Sequence, residues 1–134
     1  MRRLAPLVCA LVVFALAGAA AAGVSAPPPQ FPALPGPWTH ITINRKIRGE
    51  WHTLILDRGR IVQAGARRMT LLESDGTMVP IDLDDATIVQ PQGLGMTVLD
   101  LRRGMAVDAM RIDGGPAVRV RIRVFGARRL RAAQ

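Results

Sequence analysis

Tyrosine is absent from this chain, cysteine occurs once, and three phenylalanines and two tryptophans supply every aromatic ring. Each scarcity excludes something. The one cysteine, Cys9, lies inside an apolar N-terminal run, so the chain beyond it has no internal disulfide, thiol nucleophile or thiolate metal ligand. Lipid attachment is excluded too, because it needs small residues before a cysteine at the end of the apolar run, and Leu7-Val8-Cys9 stands near its start. Oligonucleotide readers stack bases on exposed rings, so no specific nucleic-acid partner is expected. Helix-period patterning is almost missing, which argues against a bundle. Catalytic signatures are missing as well. Neither His40 nor His52 has a serine or carboxylate at a recognisable motif spacing. Gly93-Leu94-Gly95 lacks the helix start and further glycine of a dinucleotide loop. Asp82, Asp84 and Asp85 read as acidic turn residues. The sequence therefore names no catalytic residue and no cofactor, and a non-enzyme is expected.

The N-terminus carries the clearest signal. Met1-Arg2-Arg3 is basic, Leu4 to Leu16 is apolar, and small residues fill Ala17 to Ala26. That order is the order of a secretory signal peptide, assigned to residues 1–22 with cleavage near Ala21 or Ala22. An uncleaved membrane anchor is the alternative, since the run reaches about the length that spans a bilayer. The chain is thus expected to be secreted or placed in the cell envelope. Residues 23–37 follow as a proline-rich linker, with six prolines in the twelve positions from Ala26 to Pro37. Proline at that density gives an extended, solvated spacer. Loss of Arg2 and Arg3 lowers the formal charge from +8 to about +6, and Lys46 is the one lysine among the basic residues.

Residues 38–126 carry strand patterning. Asp75-Gly76 reads as a tight primed hairpin turn, with Met69, Leu71 and Glu73 alternating before it and Val79, Ile81 and Leu83 after it. Thr39 to Asn44 alternates as a strand, Arg45 to Gly49 turns, and Trp51 to Leu56 makes a second strand. Asp57-Arg58-Gly59 marks a bend or bulge before Arg60 to Gln63. Ala86 to Val89 is a short strand, and Thr97 to Arg103 offers one helical turn with Val98 and Leu101 inward. Met105 to Met110 and Ala117 to Phe125 are joined by Asp113-Gly114-Gly115. Short strands at even spacing point to an all-β fold, and closure would remove exposed edges. The expectation is a small closed or partly open antiparallel barrel of about six strands. A basic C-terminal tail follows over 127–134.

The segment from Asp57 to Phe125 resembles a family of small secreted bacterial domains, domain of unknown function 5666. Asp57-Arg58-Gly59-Arg60-Ile61-Val62 is similar to its opening strand, and Thr70-Leu71 with Asp75-Gly76-Thr77 to its central hairpin. Thr87-Ile88-Val89 resembles its Thr-x-Val, and Leu101-Arg102-Arg103-Gly104-Met105-Ala106-Val107 its Leu-x-x-Gly-x-x-Val segment. Asp113-Gly114, Ala117 and Val120 resemble its final hairpin. Pro91-Gln92-Gly93 departs from the Asn-Gly turn that the family often has there. The resemblance implies an exported barrel of oligonucleotide-binding or SH3-like type with no established activity. It leaves the place of residues 38–50 in the sheet open.

Two ligand readings compete with a purely structural one. Arg119, Arg121 and Arg123 alternate with Val118, Val120, Ile122 and Val124, which puts three guanidinium groups on one strand face and the β-branched residues in the core. With Arg128, Arg129 and Arg131 they form a candidate polyanion-binding face. The competing reading is a solvated face paired across strands with Glu73, Asp75, Asp82, Asp84 and Asp85. The second ligand reading is a periplasmic soft-metal barrel binding copper through His40, His52, Trp38, Trp51 and the methionines Met69, Met78, Met96, Met105 and Met110. Those methionines are dispersed and read as core filling, so no metal site is assigned. The leading expectation is an exported, non-catalytic binding or structural module of the envelope or extracellular space. It would be a monomer, with an anionic envelope polymer or an envelope protein as partner.

Overall fold

The computed structural model describes residues 26–91 and 93–124. The expected signal segment and the basic tail lie outside them. Seven strands are described: β1 (His40–Ile47), β2 (Glu50–Ala64), β3 (Arg68–Glu73), β4 (Met78–Asp82), β5 (Ile88–Gln90), β6 (Ala106–Ile112) and β7 (Ala117–Val124). A 3₁₀ turn over Val98–Asp100 is capped by Thr97, and Leu101 after it is buried, as the pattern predicts. No helix among the described residues is long and apolar enough to cross a membrane.

Turn chemistry sets the hairpins. Arg48 and Gly49 both hold positive φ, 53° and 89°, and Asp113 and Gly114 hold 52° and 74°. Two consecutive positive φ values make the primed turn whose twist matches that of paired strands. β1 therefore runs to Ile47 and pairs with β2 over its whole length, which gives residues 38–50 their place. The Asp75-Gly76 turn differs from expectation. Only Gly76 has positive φ, at 88°. Gly76 N–H donates to Glu73 O at 3.0 Å, and Glu73 N–H to Thr77 O at 2.9 Å. It is a three-residue loop closed by a glycine rather than a primed turn, and Thr77 N–H is held by Asp75 Oδ1 at 2.9 Å.

The sheet order is β4-β3-β2-β6-β7-β5, with β1 also on β2. Asp57-Arg58-Gly59, expected as a bend or bulge, lies inside β2, which runs through it as one strand of 15 residues with its register shift against β3 between Ile61 and Gln63. The tripeptide is a hand-over point. β1 pairs with Glu50 to Asp57, β3 takes the same edge from Gly59, and β6 holds the opposite edge from Leu54 to Arg60. Gly59 is required there, since a Cβ on it would lie 2.7 Å from the Leu72 carbonyl oxygen.

The strands do not close into a barrel: β4 and β5 are the two ends of the path. Ile81 of β4 and Val89 of β5 nevertheless belong to one buried cluster with Ile61, Leu71, Val107 and Val120. The open edges are blunted in another way. β4 carries Pro80, which has no N–H to offer, and β5 is only three residues long.

A second apolar cluster explains why closure is unnecessary. Leu54, Leu56 and Met110 are buried under Phe31, Leu34, Trp38, Ile41 and Ile43. The proline-rich stretch expected to be a solvated spacer thus lies against the sheet from Pro28 to Trp38. Proline lacks a donor but keeps its carbonyl, and Arg119 collects two of them, Pro29 O at 2.8 Å and Pro28 O at 2.9 Å.

Candidate functional site

Residues directly opposite in an antiparallel pair share a face. Arg58 stands opposite Asp108, and Asp57 opposite Ala109. The two fully buried carboxylates of neighbouring strands therefore point to opposite sides of the sheet, and each gathers its own set of bases.

On the side covered by the N-terminal segment, Asp108 accepts from Arg58 (Nε to Oδ1, 2.8 Å) and from Arg121 (Nη2 to Oδ2, 2.7 Å). Arg123 Nε lies 3.8 Å from Oδ1. Aromatic rings cap two of these cations. The Arg58 guanidinium carbon sits 4.0 Å from the Trp38 ring centre, and that of Arg121 4.5 Å from the Phe31 ring centre.

The predicted polyanion face is only partly realised. Arg119, Arg121 and Arg123 do share the strand face their period implies. Arg119, however, is 1% exposed and turned to the proline carbonyls, while Arg121 and Arg123 keep about two-fifths of their side chains in solvent, 40% and 41%. Asp108 supplies their counter-charge, rather than Glu73, Asp75, Asp82, Asp84 or Asp85. β7 neighbours β6 and β5, so the acids of β3 and β4 are out of cross-strand reach. Of the expected core residues on β7, Val120 and Ile122 are buried, while Val124 is exposed. Arg128, Arg129 and Arg131 lie outside the described residues.

On the other side, Asp57 Oδ1 is 2.7 Å from His40 Nδ1, and Asp57 Oδ2 accepts from Arg111 Nη2 at 2.7 Å. Glu73 joins them because it stands opposite Gly59, two positions along β2 from Asp57. Glu73 is 4% exposed, and its Oε1 has no hydrogen-bond partner among the described residues. Burial pushes its carboxyl above the usual glutamate range. The charges of Asp57 and Asp75 push the same way, against the pull of His40 and Arg111. One donor atom each from His40, Asp57 and Glu73 lie within 4.8 Å of one another. The His40 side chain is 49% exposed, so the group opens to solvent.

The sequence pairs neither set. Asp108, flanked by Val107, Ala109 and Met110, is a charge inside an apolar run, and that is itself a signal for a buried ion pair. His40 and Asp57 become neighbours once Arg48-Gly49 is taken as the whole turn. His52 is separate: its Nδ1 bonds Asp113 Oδ2 at 2.6 Å at the tip of the β6–β7 hairpin. Met69, Met105 and Met110 are core residues.

Comparison with family models, curated proteins and solved structures returns no match for this chain.

Proposed function

We propose that this chain is an exported, non-catalytic binding or structural module of the cell envelope or extracellular space, within the family of small secreted domains whose motifs it resembles. The observation that carries the proposal is the docking of residues 28–38 on the sheet through Arg119, Arg121 and the second apolar cluster. Residues 28–38, a few positions beyond the expected export signal, belong to the folded body, as suits a domain presented close to its point of attachment or release. The test is intact mass of the protein recovered from medium and membrane fractions. A soluble species beginning near Gly23 fits secretion, a full-length membrane species fits an anchored module, and a full-length species confined to the cytosol overturns the proposal.

One observation favours an anionic polymer as the ligand. Asp108 is a single carboxylate among Arg58, Arg121 and Arg123, so the cluster keeps an excess of positive charge beside solvent. Replacing Arg121 and Arg123 with glutamine should flatten salt-sensitive retention on a phosphate-polymer column. Unchanged retention disposes of this ligand class.

A further inference from the structure

We propose that His40, Asp57 and Glu73 form a binding site for a divalent first-row transition ion, with zinc as the representative. Three observations converge on it. Two strand pairings fix the donors: His40 sits opposite Asp57 across β1 and β2, and Glu73 opposite Gly59 across β3 and β2. Gly59 carries no side chain between them. Glu73 Oε1 is buried without a partner among the described residues, although a carboxylate oxygen taken out of water normally keeps a hydrogen bond or a cation. The Glu73 donor atom also lies within 4.8 Å of those of the other two residues.

The donor set selects the ion. One imidazole nitrogen and two carboxylate oxygens suit zinc and its neighbours, whereas calcium prefers six to eight oxygens and copper(I) prefers sulfur. Zinc ligands at about 2.0–2.1 Å from the metal stand about 3.3 Å from one another, so a modest inward swing of the Glu73 carboxylate completes the set. The ion replaces the proton between His40 Nδ1 and Asp57 Oδ1, now 2.7 Å apart. The imidazole then keeps its N–H on Nε2, where Thr42 Oγ1 stands 3.3 Å away as an acceptor. Arg111 stays on Asp57 Oδ2 and fixes that carboxylate from behind. A fourth position faces solvent beside the half-exposed His40, open to water or to a donor from another molecule. The site does not depend on export.

Equilibrium dialysis of the full chain against zinc, manganese and calcium chlorides tests the assignment. One zinc per chain is expected, bound more tightly than manganese and far more tightly than calcium, with the melting temperature raised by a few degrees. Glu73→Gln and His40→Asn should each weaken zinc binding at least tenfold while keeping the β-sheet circular-dichroism signature. His52→Asn should leave binding unchanged, because His52 and Asp113 stand apart from the cluster. The assignment is overturned if the wild-type chain takes up no stoichiometric zinc or if calcium competes equally. It is also overturned if Glu73→Gln binds like the wild type, or if His52→Asn removes the site.

Discussion

Arg119 donates Nε–H to the carbonyl of Pro29, 90 positions earlier in the chain, at 2.8 Å. The same guanidinium reaches Pro28, and its Nη1 is buried without a partner among the described residues. A buried cation is thus spent on holding two backbone carbonyls. Hydrogen bonds from charged donors contribute about 1.5–3 kcal/mol each, offset here by the cost of burying the charge. Arg119→Met should therefore lower stability by about 1–3 kcal/mol and make residues 28–38 quickly cleaved in limited proteolysis. An unchanged cleavage rate means that the apolar contacts of Phe31, Leu34 and Trp38 hold the segment alone.

Asp108 is the hub of its side of the sheet. Removing one partner of a buried ion pair leaves uncompensated charge, at a cost of about 3–5 kcal/mol. Asp108→Asn is expected near the lower figure, because Arg121 and Arg123 can turn to water. Arg123→Gln should change stability by less than about 0.5 kcal/mol, since a half-exposed pair at 3.8 Å contributes little. Urea midpoints of the two variants, measured together, check the ranking.

Gly59 marks the place where β2 passes from one partner to the next. A methyl group there meets backbone, the Leu72 carbonyl, at 2.7 Å, and backbone cannot turn aside as a side chain can. Gly59→Ala should cost about 1–3 kcal/mol, the usual range for overpacking. Gly65→Ala meets its nearest neighbour only at 3.4 Å and serves as the mild comparison in thermal melts.

Acid should loosen the tip of the β6–β7 hairpin. The Thr53 N–H and then the His52 ring hold the Asp113 carboxyl below the ordinary aspartate range. A folded pKa below the unfolded one contributes stability that is present above about pH 4 and lost as pH falls through the folded value. Asp113→Asn keeps a side chain that tolerates φ of 52° but cannot ionise. Its melting temperature should therefore fall less than that of the wild type between pH 5 and pH 3, measured by circular dichroism.

The hairpins and the core strands were legible because period-two alternation and glycine turns are local properties. Leu71, Ile81, Val107 and Val120 could be assigned to the interior from their neighbours alone. Charge partners were not legible, because they depend on register and strand order. A turn at Arg48-Gly49 rather than anywhere in 45–49 is what aligns His40 with Asp57. The Asp113-Gly114 turn already sets β7 beside β6, but chain order gives no hint that β7 lies far from β3, nor of the register shift between Met110 and Arg111. The pairing of Arg121 with Asp108 rather than with the acids around the central hairpin was therefore hidden. The proline-rich stretch misled for another reason. Its composition describes a spacer, yet Phe31 and Leu34 recur at the three-residue spacing of one face of an extended proline helix, and that face found an apolar surface to cover.

Because residues 28–38 are fastened along the sheet, the chain leaves the domain from its flank and with a set heading. A dye attached at exposed Gln30 would report the slow tumbling of the whole body instead of the fast wobble of a tether.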